Sequence, residues 1–271
     1  MEKDTHTHTH THTHSNNSAN GDKHVVFRQA NDNETPTELL TTLSKSTDEL
    51  IRGAIALNKA TPIKVLEDLL NDSSSYVLSC LRKRGYKTRP TLSKPKKVVG
   101  NNLVFRDAQK EDAAFILELR TDSKKATHLS KTSNDLKQQE VWLEKYGNDC
   151  GQVYFIIFNK QNERVGTVRL YDITNDSFCW GSWILKNGTP SSYSIESALL
   201  VYHFALSLGF EKAHFDVRKG NESVWKFHER FGAEKVEDTA DDFIYNISLE
   251  AIEKSLEKYK KYLPNGFLIE D

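Results

Sequence analysis

The sequence has little cysteine and no long apolar segment. Its 271 residues include three cysteines, Cys80, Cys150 and Cys179, and none of them belongs to a Cys-x-x-Cys pair. An odd number of isolated cysteines fits a reducing compartment better than a disulfide framework. No apolar run approaches the roughly 20 residues that span a bilayer, and the polar N-terminus does not resemble a secretory signal peptide. These absences predict a cytoplasmic protein without a membrane span.

An excess of charge of one sign is also lacking. The chain has 37 lysines and arginines against 38 aspartates and glutamates, which gives a formal net charge of −1. A balanced chain has no overall electrostatic attraction to polyanions. We therefore expect neither nucleic acid nor an anionic membrane as a partner.

Residues 1–30 are of low complexity and begin with alternating threonine and histidine. Such a segment has too little apolar surface to offset the entropy of ordering, so we predict a disordered tail. An extended chain would place its five histidines on one side, where neutral imidazoles can bind Zn²⁺, Ni²⁺ or Cu²⁺. The alternative is a slippage-prone repeat, or part of an expression tag, without a dedicated metal, and we predict no metal site.

Residues 31–85 contain a weak repeat with a period of 26 residues. Thr-Pro pairs that end at Pro36 and Pro62 each precede apolar residues at helical spacing. A period of this size is typical of stacked helical repeats, and the segment resembles variant leucine-rich or HEAT-like repeats. Two copies bury little surface alone, so we expect them to pack on the catalytic domain, on another subunit or on a protein partner. An irregular helical cap with chance periodicity is the alternative.

A basic segment separates these helices from the rest of the chain. Arg82 to Gly100 holds eight basic residues, no acidic residue and two prolines. We predict a solvated linker over residues 86–101, and contact with an acidic partner or with nucleotide phosphates is the alternative. From Leu103 the pattern predicts β-α-α-β-β-β-α-β-α-β-β up to about residue 248. A C-terminal helix and tail over residues 249–271 follow, because Leu249, Ile252, Leu256 and Tyr259 share one helical face.

The stretch from Ala213 to Ala233 carries the clearest motif. A short β-run ends in Arg-Lys-Gly-Asn, an amphipathic helix follows, and Gly232 supplies its C-terminal stop. This order resembles the last βα unit of the GCN5-related N-acetyltransferases (GNATs), which transfer an acyl group from coenzyme A to an amine. The resemblance covers about residues 102–248. It implies an α/β (α+β) fold with a mixed central sheet flanked by helices, preceded here by the small all-α domain and the tail.

The resemblance also implies the catalytic groups. The family often has a tyrosine seven residues after the asparagine of this motif, as the acid that reprotonates the departing thiolate. Here that position is His228, and an imidazolium with a pKa near 6.5 would be a competent acid. For the general base, Asp216, Glu196, His128 and a water chain remain open, with Asp216 taken forward because it alternates with apolar strand neighbours.

The acetyl-CoA site implied by the resemblance lies on the fourth core strand and the loop after it. The family's phosphate loop usually reads Gln/Arg-x-x-Gly-x-Gly/Ala, whereas this chain has serines there and a bulky Tyr193. Backbone N–H groups bind phosphate whatever the side chain, so we expect a working site on a changed loop path. The residues assigned to the cofactor are Trp183, Ile184, Leu185, Ser191, Ser192, Tyr193, Ser194 and Asn221. An N-cap is the alternative role of Asn221.

The substrate side is assigned to Arg120, His128 and Trp180. The segment from Leu119 to Asp122 and the later Trp142 resemble acetyltransferases of nucleotide-linked amino sugars, although enzymes that acetylate protein N-termini have a similar layout. We predict an acetyl-CoA-dependent N-acetyltransferase that acetylates a small-molecule amine by direct attack. One alternative is a protein N-acetyltransferase that docks its substrate on the helical repeats. Another is a non-catalytic binding module on a degenerate fold.

Overall fold

The structure, a computed structural model, describes residues 17–122 and 133–271. The chain divides into two compact units, one ending at Arg89 and the other running from Pro90 to Asp271. This boundary falls within the predicted linker over residues 86–101. Among the helices of the described residues, none is long and apolar enough to cross a bilayer.

The first unit is a stack of short helices. Its elements are α1 (Asn17–Asn31), α2 (Thr37–Leu43), α3 (Glu49–Leu57), α4 (Ile63–Leu69) and α5 (Ser75–Lys83). Helix α1 corrects the predicted disorder for residues 17–30. Val26 packs against the buried cluster of this unit and Ala30 is fully buried within it, and this burial offsets the cost of ordering. The threonine–histidine repeat lies outside the described residues.

The helices of this unit keep the 26-residue spacing seen in the sequence. Helices α2 and α4 have seven residues each and α3 and α5 have nine. Pro36 and Pro62 occupy the N-cap positions of the first pair. Asp48 and Ser74 cap the second pair, because each side chain accepts a hydrogen bond from a backbone N–H of the first turn. Whether the unit belongs to the leucine-rich or HEAT-like class remains a prediction.

The second unit is built on one sheet. Its elements are β1 (Lys97–Val99), β2 (Leu103–Asp107), a 3-10 turn (Lys110–Asp112), α6 (Ala113–Thr121), α7 (Ser133–Gly147), β3 (Val153–Asn159), β4 (Arg164–Thr174), β5 (Ser177–Leu185), α8 (Ser192–Ser207), β6 (Lys212–Arg218), α9 (Glu222–Phe231), β7 (Glu234–Asp238), β8 (Asp242–Ile247), α10 (Leu249–Lys258), a second 3-10 turn (Lys260–Tyr262) and β9 (Leu268–Glu270). The sheet order is β7-β8-β6-β5-β4-β3-β2-β1-β9. The predicted mixed sheet flanked by helices is confirmed.

The sheet extends further than the sequence predicted. Strand β1 lies in the predicted linker and β9 in the predicted tail, and the two pair with each other through Val98 and Ile269. Val98 is fully buried, so the end of the basic segment is part of the core rather than solvated. Its two valines supply the apolar strand signal that the surrounding lysines obscured.

The sheet has a core on each face. On one face, α8, Phe231 of α9 and Ile252 of α10 belong to the largest buried cluster, together with inward residues of β2 to β6. On the other face, α6 and α7 pack on Tyr154, Ile156 and Phe158 of β3. Strand β3 is buried on both faces, which explains its continuous apolar sequence.

Strands β5 and β6 separate in the middle of the sheet. They pair in parallel at Ser177, Phe178 and Cys179 only, whereas β5 continues to Leu185. A bulge accompanies the separation, with Ser182 at a φ of 47° and a register shift against β4. The edge of β5 from Trp180 onward therefore faces an opening in the sheet.

Candidate active site

A cavity of about 440 Å³ lies on the α8 side of this opening. We call it the serine cavity, because Ser191, Ser192 and Ser194 line it at the start of α8. Its other lining residues are Trp183, Leu185, Ile195, Ser223, Val224, Phe227, Arg230, Phe231, Tyr259 and Tyr262. The cavity thus combines apolar side chains, serine hydroxyls at a helix N-terminus and the positively charged guanidinium of Arg230.

A second cavity of about 460 Å³ lies on the α6 and α7 side of the same strand. We call it the arginine cavity, because Arg120 and Arg169 line it. Its other lining residues are Leu117, Asp135, Gln138, Gln139, Trp142, Tyr154, Ser182 and Ile184. The Arg169 guanidinium lies 5.8 Å from the Trp142 ring, and its Nε donates a hydrogen bond of 2.6 Å to Gln152. Two cations beside an aromatic ring suit an anionic ligand with a planar group.

Strand β5 is the wall between the two cavities. Trp183 and Leu185 line the serine cavity, whereas Ser182 and Ile184 line the arginine cavity. This alternation follows from the pleat of the strand. A group that reaches the opening between β5 and β6 from one cavity therefore meets a group that arrives from the other, which is the arrangement that a transfer between two substrates requires.

The comparisons with known proteins agree with this geometry. The acetyltransferase (GNAT) domain profile matches residues 102–234. A solved structure described as apo FdhC, a nucleotide-linked sugar GNAT, is 37% identical over 64% of this chain and 99% of its own, with a TM-score of 0.56. This chain belongs to the GNAT family.

Two further structures share the GNAT fold at low identity. A probable GNAT acetyltransferase from Chromobacterium violaceum ATCC 12472 is 12% identical over 62% of this chain and 93% of its own, with a TM-score of 0.53. A GCN5-related N-acetyltransferase from Brucella melitensis is 14% identical over 64% and 88%, also with a TM-score of 0.53. No curated protein matched the sequence.

As a GNAT, the chain is an acyltransferase that uses acetyl-CoA. The serine cavity fits this co-substrate. The N-terminus of α8 presents small side chains to an anion, and the Ser191 side chain makes no capping hydrogen bond within the helix. The unpaired edge of β5 offers backbone groups to an extended arm. Five of the predicted cofactor residues line this cavity: Trp183, Leu185, Ser191, Ser192 and Ser194.

The other three predicted cofactor residues lie elsewhere. Ile184 faces the arginine cavity, which corrects its assignment. Tyr193 is half-buried against the main core and does not line the serine cavity. Its bulky side chain therefore does not fill the cavity at the start of α8. Asn221 precedes Ser223 and Val224 at the start of α9, and its side chain makes no capping hydrogen bond. Asn221 thus occupies the N-cap position without capping the helix through its side chain, and its place at the cofactor remains a prediction.

His228 lies behind the serine cavity in a cage of aromatic rings. Its ring centroid is 4.1 Å from Phe215, 5.1 Å from Trp180 and 5.7 Å from Trp183. Burial lowers the pKa of His228 to about 3, and its Nδ1 has no hydrogen-bond partner among the described residues. At neutral pH the imidazole is thus uncharged. This environment contradicts the predicted role of His228 as an imidazolium acid, because apolar rings disfavour the charged form.

The three predicted substrate residues have different positions in the structure. Arg120 lines the arginine cavity, within 3.5 Å of the Gln139 side chain. Trp180 is 3% exposed and its indole N–H points to the Tyr202 hydroxyl at 3.3 Å, so its assignment to the substrate is wrong. His128 lies outside the described residues.

Two of the general-base candidates lie in different environments. Glu196 is buried and accepts hydrogen bonds from the backbone N–H groups of Asn102 and Leu103, so it holds a loop together rather than serving either cavity. Asp216 is exposed, with Phe215 and Val217 buried on the opposite face of β6 as the alternation predicted. Its negative charge contributes to raising the pKa of Tyr171 on β4 and of Cys179 on β5, so the carboxylate lies near both side chains.

Several lining residues were not predicted. The sequence could have indicated Arg169, because an arginine in the apolar strand VGTVRLYDI needs a polar partner or a ligand. Tyr259 and Tyr262 line the serine cavity but belong to the C-terminal segment, for which the sequence predicts only a separate helix and tail. Only the tertiary fold brings that segment to the serine cavity.

Proposed function

We propose that this protein transfers the acetyl group of acetyl-CoA to the primary amine of a nucleotide-linked amino sugar. The observation that carries the proposal is that Arg120, Arg169 and Trp142 line the same cavity, with the Arg169 guanidinium over the Trp142 ring. Guanidinium groups bind phosphate oxygens in bidentate fashion, and an indole ring offers a flat apolar surface to a base or a sugar. The 37% identical structure is described as a nucleotide-linked sugar GNAT. We place the reaction in the cytoplasm.

In this proposal acetyl-CoA occupies the serine cavity. The start of α8 holds its phosphates, with Arg230 as the nearby cation, and Trp183, Leu185 and Asn221 hold the pantetheine arm. Acetyl-CoA would supply an activated acetyl carbon. The residues of this chain orient it at the opening beside β5, where the acceptor arrives from the arginine cavity.

We assign Asp216 as the base that takes a proton from the acceptor amine. Its carboxylate is exposed, and it lies on β6 two residues after His214, the last residue of this strand that pairs with β5. A covalent acyl-enzyme at Cys179 is disfavoured, because burial raises the pKa of this thiol to about 11 and the thiolate is the nucleophilic form. Direct attack by the amine is therefore the simpler route.

The test of the substrate class compares acceptors on the full chain. Acetyl-CoA binding is measured by calorimetry, and acetylation is measured with nucleoside-diphosphate-linked amino sugars, with the same sugars lacking the nucleotide, with polyamines and with N-terminal peptides. We expect turnover of the nucleotide-linked sugars. Preference for peptides would favour docking of a polypeptide instead, and absence of acetyl-CoA binding would favour a non-catalytic binding module.

Two variants sharpen this test. Arg120→Gln and Arg169→Gln should each raise the KM for the nucleotide-linked sugar by roughly 10- to 100-fold, the size of a lost charge-assisted hydrogen bond of about 1.5–3 kcal/mol. Lys145→Gln is the control, because it removes one positive charge from the exposed side of α7 away from the cavity. If the arginine variants affect the nucleotide-free sugars to the same degree, the arginines do not recognise the nucleotide.

A further inference from the structure

The position that holds the family's tyrosine is occupied by a buried and uncharged histidine, so the proton for the departing thiolate needs another source. The described residues offer a tyrosine on the opposite face of the sheet. Tyr171 of β4 pairs with Cys179 of β5, and its hydroxyl lies over Gly181. A Cβ built on Gly181 would come within 3.0 Å of that oxygen.

This hydroxyl is next to the opening. Gly181 directly precedes Ser182, where β5 bulges, and follows the residues at which β5 stops pairing with β6. Because Gly181 has no side chain, the Tyr171 phenol can occupy the space above the strand at this position. The Tyr171 ring also lies 4.1 Å from the Arg169 guanidinium, so it continues the surface of the arginine cavity toward the opening.

We propose that Tyr171 is a catalytic residue that donates the proton taken up by the thiolate. This inference rests on the proposed function, because it assumes direct acyl transfer at the opening. The amine nitrogen bonds to the acetyl carbon and its proton goes to Asp216. The carbon–sulfur bond breaks, the phenol O–H proton bonds to sulfur, and the phenolate regains a proton from Asp216. The net result moves one proton from the amine to the thiol.

The surroundings of Tyr171 couple these two proton transfers. Burial is the main cause that raises the pKa of Tyr171, followed by its hydrogen bond with Cys179 and the nearby charge of Asp216, whereas Arg169 lowers it. Once Asp216 has taken the amine proton, its negative charge is gone. Neutralisation of Asp216 removes one of the contributions that raise the pKa of Tyr171, at the stage when the thiolate needs a proton.

The first experiment is Tyr171→Phe, which keeps the ring beside Arg169 and removes the hydroxyl. We expect kcat to fall by about 100-fold or more, as for loss of a general acid, while the calorimetric Kd for acetyl-CoA is unchanged. Tyr245→Phe is the matched control, because it removes a tyrosine hydroxyl that bonds Glu229 at 2.6 Å away from both cavities. A Tyr171→Phe kcat within about twofold of the unmodified chain overturns the proposal.

A second experiment separates acid catalysis from a structural role. Trifluorotyrosine at position 171 lowers the phenol pKa, so a new fall of kcat should appear on the alkaline side. An unchanged pH profile contradicts the proposal. Both experiments are repeated with hydroxylamine as the acceptor. If the unmodified chain acetylates hydroxylamine but no nucleotide-linked sugar, the substrate class is wrong, while the role of Tyr171 is still decided in the hydroxylamine assay.

Discussion

The imidazole of His228 shares its cage with Trp180, Trp183, Phe215 and Phe227. These rings exclude water from a residue that the sequence motif places beside the reacting sulfur. Motif spacing predicts this position, but it carries no information on the three aromatic residues that β5 and β6 bring around it. Charge state is a property of this three-dimensional environment.

The buried His228 predicts a specific pH dependence of stability. Its folded pKa of about 3 lies below the unfolded value of about 6.5, so the folded state binds fewer protons between these values. Its contribution to the free energy of unfolding is present above about pH 6.5 and is lost as the pH falls, by up to about 1.4 kcal/mol per pH unit. Denaturant unfolding between pH 7 and pH 5 should show a smaller loss for His228→Leu. Equal slopes would contradict the assignment.

At the scale of the elements, the bulge in β5 decides which of its side chains line which cavity. In an unbroken strand, Trp180 and Trp183 would lie on opposite faces. Because Ser182 is inserted at the bulge, both rings lie on the same face, with centroids 5.0 Å apart. A bulge has no clear signature in a single sequence, and one residue of shift reverses every assignment after it. The prediction groups Ile184 with Trp183 and Leu185, although the pleat turns its side chain toward the arginine cavity, and the buried Trp180 lines neither cavity.

Neighbouring residues of β5 should therefore affect different substrates. Ile184→Ala is expected to raise the KM of the acceptor roughly tenfold, with little change in acetyl-CoA affinity, because it removes apolar contact from the arginine cavity. Leu185→Ala is expected to weaken acetyl-CoA binding by a similar factor and to leave the acceptor KM unchanged. Steady-state kinetics and calorimetry on both variants measure this. If each variant raised the acceptor KM and weakened acetyl-CoA binding to the same degree, the strand would not separate the two sites.

At the scale of the whole molecule, the chain contains two units with separate cores. The buried cluster of the first unit runs from Ala30 to Leu81, and the main cluster of the second begins at Leu92. The sequence indicated this division through the change from helical repeats to a basic, proline-containing segment. It did not show that residues 97–99 form a strand of the second unit, since that strand pairs with β2 on one side and with the distant β9 on the other.

A fragment of residues 90–271 is expected to fold and to bind acetyl-CoA with the affinity of the full chain. All residues of the serine and arginine cavities lie within it. In the full chain, Arg52→Ala should lower the unfolding temperature of the first unit only, because it breaks a partly buried ion pair of 2.8 Å with Asp72. Scanning calorimetry of the full chain, the fragment and the variant tests both statements. An insoluble fragment, or a fragment without affinity, would contradict the independence of the second unit.

The role of the first unit remains a prediction. We expect it to bind a protein partner or a second copy of the chain. Comparison of the fragment with the full chain in sedimentation experiments measures whether self-association is lost with the helices.

The wall formed by β5 also determines how inhibitors should behave. In the proposed arrangement the two ligands approach from opposite sides, so we expect either one to arrive or depart while the other is in place, which corresponds to a random-order kinetic scheme. Desulfo-coenzyme A should then compete with acetyl-CoA but not with the acceptor. A single molecule that joins both ligands must thread its connecting atoms through the gap beside Gly181, so the length of that tether, more than the size of either end, should set its potency.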